Sequence, residues 1–187
     1  MNFKQEIENF VPCNEQEKCD KELLLEYIRL FPKTILFREN KIAHITSSGF
    51  IFNKKRDKIL MVHHNIFKTW TWTGGHMDGE EDLLGVALKE AKEETGVHHF
   101  EVLSNEIASL DILTVPGHFK NGAYVSAHLH LSVAYALVAD EDEELIVRKE
   151  ENTGVKWINI ESMEYYSREK EIIPIYYKII DKANKLK

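Results

Sequence analysis

Glu90, Glu93 and Glu94 stand at i, i+3 and i+4 within the stretch GGHMDGEEDLLGVALKEAKEETGV, residues 74–97. On a helix these three share one face, where like charges repel by about 0.2–0.5 kcal/mol per pair. Placed on a helical wheel, Leu84, Ala87, Leu88 and Ala91 gather on the side that packs. The carboxylates gather on the adjoining side, and Lys89 and Lys92 fall toward solvent. Repulsion at the edge of a buried face is offset best by a bound cation, and hard carboxylate oxygens suit Mg2+ or Mn2+. The preceding GGHMDGEE supplies a tight turn whose backbone groups point into the same space. Alone, a Glu-x-x-Glu-Glu triplet reads as a solvated helix face, and Glu81 or His76 by itself is uninformative.

The spacing adds what the triplet lacks. Five residues separate Gly75 from Glu81, and seven more lead to KEAKEETGV, residues 89–97. This resembles the Nudix box, G-x5-E-x7-R-E-U-x-E-E-x-G-U with U a bulky apolar residue. Gly75, Glu81, Glu90, Glu93, Glu94, Gly96 and Val97 match, whereas Lys89 replaces the arginine and Ala91 is small for its apolar slot. Lysine keeps the charge but loses the planar fork, so a glutamate oriented from position 89 is held less rigidly.

The resemblance implies an α/β Nudix fold, a mixed β-sheet sandwiched between α-helices, with the box forming a loop-helix-loop. It also implies a Mg2+- or Mn2+-dependent hydrolase that cleaves a pyrophosphate bond in a nucleoside diphosphate derivative by water attack at phosphorus. Carried over by position, Glu90, Glu93 and Glu94 are metal ligands, with the Gly75 carbonyl as a further one. Glu90, Glu94 and Glu81 form the catalytic set, with Glu90 or Glu94 as base and Glu81 orienting the helix. In some members an acid from a later loop is the base, and DEDEE (140–144), Glu150 and Glu151 are candidates here. His76, after the glycine pair, is placed to reach a phosphate of the substrate.

The elements that must position these groups follow from periodicity and caps. NEQEKCDKELLLEYIRLF opens with Asn14 and Glu17 at capping-box spacing, and Leu23, Leu24, Tyr27 and Leu30 recur as on a helix before Pro32. Residues 1–33 read as a helical extension, too small for a core of its own, and 34–187 as the Nudix hydrolase domain. The extension is expected to cover the cleft or to form a homodimer contact. IAHITSSGFIF (42–52) and KILMVHH (58–64) flank a polar turn and predict a hairpin. TWTWTGGH reads as a strand entering the glycine turn, followed by a helix from about Leu83, with Asp82 as N-cap and Gly96 as stop. Strands are also expected over 107–115, 127–139 and 154–160, and a last amphipathic helix carries Pro174 in its first turn.

Composition narrows the partners. The 187 residues are 43% hydrophobic and 29% charged, ordinary for a globular domain. With 24 Lys and Arg against 31 Asp and Glu, the charge of -7 argues against a nucleic acid polymer as partner. It leaves room for a small anionic substrate, because a bound cation reverses the local field. Cys13 and Cys19 are too few for a disulfide framework, and both read as inert. No run of about 18 apolar residues suggests a membrane span, and the opening MNFKQEIENF lacks a signal-peptide core, so a cytoplasmic location is expected.

His128 and His130 alternate on a strand and so share a face. With no third ligand in view, they read as lining the cleft rather than as a zinc site. His63 and His64 point to opposite faces, Trp70 and Trp72 share a face and read as core with one of them a further base-stacking candidate, and Tyr124 is a base-stacking candidate. Two other readings compete with the hydrolase. A catalytically weak nucleotide-binding or regulatory module would ordinarily lack box glutamates, and all four are intact. Isomerase chemistry on the same fold would need a cysteine near the active site, and both cysteines precede the sheet.

Overall fold

Along the strand AHITSSGFIFN, even-numbered side chains run His44, Thr46, Ser48, Phe50, Phe52. One face of this strand is therefore polar at its start and aromatic at its end. That division places the cleft.

The computed structural model describes residues 2–66, 68–120 and 122–186. Two helices come first, α1 (Phe3–Asn9) and α2 (Glu15–Leu30). Then follow β1 (Ala43–Asn53), β2 (Lys58–His64), β3 (Trp70–Thr71), β4 (Thr73–His76) and α3 (Leu83–Thr95). The strands β5 (Glu101–Val102), β6 (Ser109–Val115), β7 (His118–Lys120), β8 (Ala123–Val125), β9 (His128–Ala139) and β10 (Asn152–Asn159) come next. A short α4 (Met163–Tyr166) and α5 (Ile173–Lys185) close the chain as described.

β1 is central. It pairs parallel with β9, from Ala43 opposite Leu129 to Asn53 opposite Ala139, and antiparallel with β2 through the expected hairpin. The same strand takes β4 antiparallel, Thr46 opposite His76 and Ser47 opposite Gly75. β10 extends the sheet beyond β2, while β5 and β6 both pair with β9. The sheet is thus mixed and flanked by helices on both faces. The stretch expected as one strand over TWTWTGGH is two short ones, because it leaves β2 for β1 at Trp72.

The odd-numbered face carries Ile45, Ile51, Leu131, Val133 and Leu137, packed with Phe3 and Ile7 of α1, Leu24 and Ile28 of α2, and Leu83, Ala87 and Ala91 of α3. On the even-numbered face, Phe50, Phe52, Ala134 and Ala136 pack against Ile175, Tyr176 and Ile179 of α5. Helix α5 covers only this apolar half. Pro174 stands in its first turn, where a missing N–H costs nothing. The half bearing His44, Thr46, Ser48, His130 and Ser132 stays uncovered and lines a cavity.

The N-terminal helix differs in detail from its periodic reading. Leu24 and Ile28 are buried, whereas Leu23 and Leu30 stand more than half exposed. The helix is rotated because its packed face includes Glu17, fully buried and 3.0 Å from both Lys178 and Lys182. The Asn14 side chain accepts from Glu17 N–H at 2.8 Å, but the Glu17 carboxylate reaches back to Cys13 N–H, so the reciprocal box does not form there. A reciprocal box does form one helix earlier, between Asn2 and Gln5 of a helix absent from the periodic reading. Among the described residues no helix is long and apolar enough to cross a membrane.

Candidate active site

Helix α3 is held at both ends by the residues expected to hold it. Asp82 accepts the Gly85 N–H at 2.9 Å, and Gly96 ends the helix in the left-handed conformation with φ 78°. Glycine reaches that region without a Cβ penalty. Between these caps Leu83, Val86, Ala87 and Ala91 are buried and Lys89 and Lys92 exposed, while Leu84 and Leu88 are half-buried. The glutamates divide by depth. Glu94 is 5% exposed, Glu90 half-buried and Glu93 at the surface.

The glycine pair meets the two deeper ones. Gly74 donates its N–H to Glu94 Oε2 at 3.2 Å. A Cβ on Gly75 would lie 2.5 Å from Glu90 Cδ, so this strand position must be bare for the carboxylate to sit where it does. Burial pushes the Glu94 carboxyl up to about 8 against the Gly74 hydrogen bond, with Glu90 and Glu151 raising it further. Burial, then Glu93 and Glu151, raise Glu90 as well.

Glu151, in the segment leading into β10, completes the cluster. Oxygens of Glu90, Glu94 and Glu151 lie within 4.8 Å of one another. Glu151 Oε2 is buried without a hydrogen bond among the described residues. Three crowded, partly buried carboxylates with an orphaned oxygen fit a hard divalent cation of the Mg2+ or Mn2+ kind.

Glu93 stands outside this cluster. Its carboxylate accepts from Arg148 Nη1 at 2.6 Å, and the same guanidinium lies 3.7 Å from Glu151. Lys89 points to solvent, so the planar fork missing from the box reaches it from the loop before β10. Glu81 is exposed ahead of α3. Of the later acids, Glu151 reaches the site, whereas Asp140 and Glu141 pair with Lys54 and Lys58. Fixed box spacing could not reveal Arg148, which arrives more than fifty residues later.

The cleft beside these groups has a volume of about 460 Å3. Its floor is the polar half of the sheet, and Gly74, Gly75, His76 and Glu94 form one side. Lys120 and Tyr124, on the hairpin of β7 and β8, line its rim, and Trp72 lies deeper, edge-on to Tyr176. His64 lines the cleft while His63 turns away onto Trp70, as alternation requires. Among the described residues none of 1–33 lines it.

His76 lies in this cleft with His44 and His130, ring centres 4.9 to 5.2 Å apart. Burial, then neighbouring charges, push His76 down to about 3 and His130 down to about 2. Both rings are therefore held neutral near pH 7. Arg38 lines the cleft with Lys41 and Lys120, and its two donors to Asp78 are engaged, one at 2.8 Å. No local pattern marks Arg38, which precedes β1.

A family model, NUDIX domain, matches residues 43–182. A probable DHNTP pyrophosphohydrolase of Lactococcus lactis subsp. cremoris (strain MG1363) is 26% identical, over 74% of this chain and 78% of the relative. The asymmetrical bis(5'-nucleosyl)-tetraphosphatase of Mus musculus is 29% identical, over 68% of this chain and 76% of the relative. A C. elegans Ap4A hydrolase solved as a binary complex superposes with a TM-score of 0.55 at 16% identity, covering 75% of this chain and 97% of the other. At that identity the likeness is one of fold.

Proposed function

Because the chain belongs to the Nudix family and is a hydrolase acting on acid anhydrides, we propose that it cleaves a pyrophosphate bond in a nucleoside diphosphate derivative with the help of Mg2+ or Mn2+. One observation supports this above others: Glu90, Glu94 and Glu151 converge beside the glycine strand that borders the cleft. A divalent cation held by Glu90, Glu94 and Glu151 would neutralise phosphate oxygens and make water a better nucleophile.

In this reading the protein's own groups divide the work. Gly74 N–H fixes Glu94, and bare Gly75 leaves room for Glu90. Glu90 and Glu94 are the inner ligands. Glu93, kept in place by Arg148, would complete the ligand set from the surface side, and Glu81 would steady the entry to α3. Glu151 or Glu90 accepts the proton of the attacking water, each being close enough to the other two carboxylates to share one site. His76 donates to a phosphate oxygen on the cleft side.

The substrate we propose is a polyphosphate chain joined to a planar ring system, the feature common to the two relatives' named substrates. Trp72 and Tyr124 offer aromatic surface at the depth and rim of the same cleft. Such a substrate is small and soluble, in keeping with a cytoplasmic enzyme. With the cleft lined from elsewhere, residues 1–33 are assigned to sheet support and to a homodimer contact.

The test is a hydrolysis screen in Mg2+ and in Mn2+ over bis(5'-nucleosyl) tetraphosphates, dihydroneopterin triphosphate, nucleoside triphosphates and ADP-ribose, reading phosphate or pyrophosphate release. Turnover of at least one of these, abolished by chelator, is the expected result. Absence of turnover across the panel in both metals would refute the reading.

A further inference from the structure

Three of the histidines that line the cleft, His44, His76 and His130, are not arranged as core histidines are. Asn40 O accepts from His44 Nδ1 at 3.0 Å. A carbonyl can only accept, so the proton is on Nδ1 and the lone pair is on Nε2. That Nε2 is buried without a hydrogen-bond partner among the described residues, and so is Nε2 of His130. Two ring nitrogens without partners in one cluster call for a ligand, and on His44 that ligand is a metal cation or a hydrogen-bond donor, because leaving such groups unpaired is costly. A phosphate oxygen brings lone pairs of its own and cannot satisfy the acceptor on His44.

We propose that His44, His76 and His130 form a second cation site, for a borderline divalent metal of the zinc class, separate from the carboxylate cluster.

Nitrogens of the three rings lie within 4.8 Å of one another. Ring centres are 4.9 Å apart for His44 and His76, 5.2 Å for His44 and His130, and 5.1 Å for His76 and His130. Imidazoles bonded to one tetrahedral ion at about 2.0–2.1 Å have ring centres about 5 Å apart, so small rotations close the site. The rings come from three adjacent strands. His44 sits opposite His130 in the parallel pair, and Thr46 opposite His76 places the third ring diagonally next to the first. A site on paired strands is held more firmly than one on loops. The Asn40 carbonyl behind His44 is the outer-shell acceptor that fixes the tautomer of a ligating histidine.

Donor type separates this site from its neighbour. Imidazole nitrogen suits Zn2+, Co2+ or Ni2+, whereas the carboxylates suit Mg2+ or Mn2+. Three nitrogens leave one tetrahedral position for a ligand in the cleft. His128 stacks on His44 with planes 29° apart, and its Nδ1 meets Ser126 O, but its nitrogens fall outside the set that the other three rings bring within 4.8 Å. The cation would share the cleft wall with Arg38, whose charge Asp78 compensates.

Titration of the full chain with Co2+ in excess Mg2+, read by visible absorption and checked by equilibrium dialysis with Zn2+, tests the site without any substrate. Wild type should bind one equivalent with the bands of a tetrahedral nitrogen-rich centre, and Zn2+ should displace it. Glu94→Gln should retain that signal. His76→Ala and His130→Gln, each confirmed folded by circular dichroism, should weaken binding by about 10–100-fold or more, since even outer-shell losses cost that much. His76 is only half-buried, so its removal spares the core if His130→Gln does not fold. Absence of Co2+ binding by wild type would overturn the proposal. So would a signal lost in Glu94→Gln but kept in His76→Ala.

Discussion

A Cβ built on Gly75 would fall 2.5 Å from the carboxyl carbon of Glu90. What it meets is flexible side chain, not backbone, so Gly75→Ala should fold and push Glu90 out of the cluster. Gly74 differs, since a Cβ there would come within 2.9 Å of the Ser47 carbonyl oxygen on the paired strand. The expected outcome is a Gly75→Ala protein with a nearly unchanged melting curve but at least about tenfold weaker Mn2+ binding by electron paramagnetic resonance. Gly74→Ala should lower the melting temperature itself. Unchanged Mn2+ affinity in Gly75→Ala would separate Glu90 from the metal site.

Arg148, not Lys89, holds a box glutamate. It donates to Glu93 at 2.6 Å, while Lys89 faces solvent. Lys89→Ala should therefore leave kcat and KM within about twofold, and Arg148→Ala should lower kcat by about tenfold or more with little change in KM, as expected for lost positioning. Arg148→Lys should recover only part of the loss, because an ammonium lacks the fixed planar donor geometry of a guanidinium. Steady-state kinetics on whichever substrate is turned over decides between the two residues.

Acid stability should depend on Glu17. Burial pushes its carboxyl up, but the Cys13 N–H and then Lys178 and Lys182 outweigh burial and hold it below the ordinary value. A depressed carboxyl adds stability above its unfolded pKa, and that contribution is lost as pH falls through the folded value. Denaturant unfolding should therefore show wild type losing stability below about pH 4.5, and Glu17→Gln losing less over the same range. At pH 7, Glu17→Gln should be less stable by about 3 kcal/mol, since it breaks a buried pair, although Asp111 still accepts from Lys178 at 2.5 Å. Equal stability of the two proteins at pH 7 would show that this network does not hold α2 to the sheet.

The legible parts of the molecule were those whose physics is local. Asp82 and Gly96 bound their helix because capping needs only neighbours in sequence. The even-odd alternation of His128 and His130 put both rings in the cleft because a strand has period two. What stayed hidden depends on distant pairing. His44 and His76 join His130 only once β1 is flanked by β9 and β4, and no spacing along the chain encodes that meeting. Arg148 comes to the glutamates the same way, from a loop far along the chain, whereas Glu151 was legible only as one of several later acids. The misjudged rotation of α2 has a related cause, because a wheel scored on apolar residues cannot see a helix that buries Glu17 against lysines from α5.

The most direct test of the central claim is the Mg2+-dependent hydrolysis rate of Glu94→Gln beside wild type, on the best substrate from the screen and at equal folded concentration. Glutamine keeps the shape and removes the capacity of the group that Gly74 fixes to ionise against a bound cation. The account predicts a fall in kcat of about 10²–10⁴-fold, with wild-type turnover lost on chelation. A variant that cleaves as fast as wild type would contradict it.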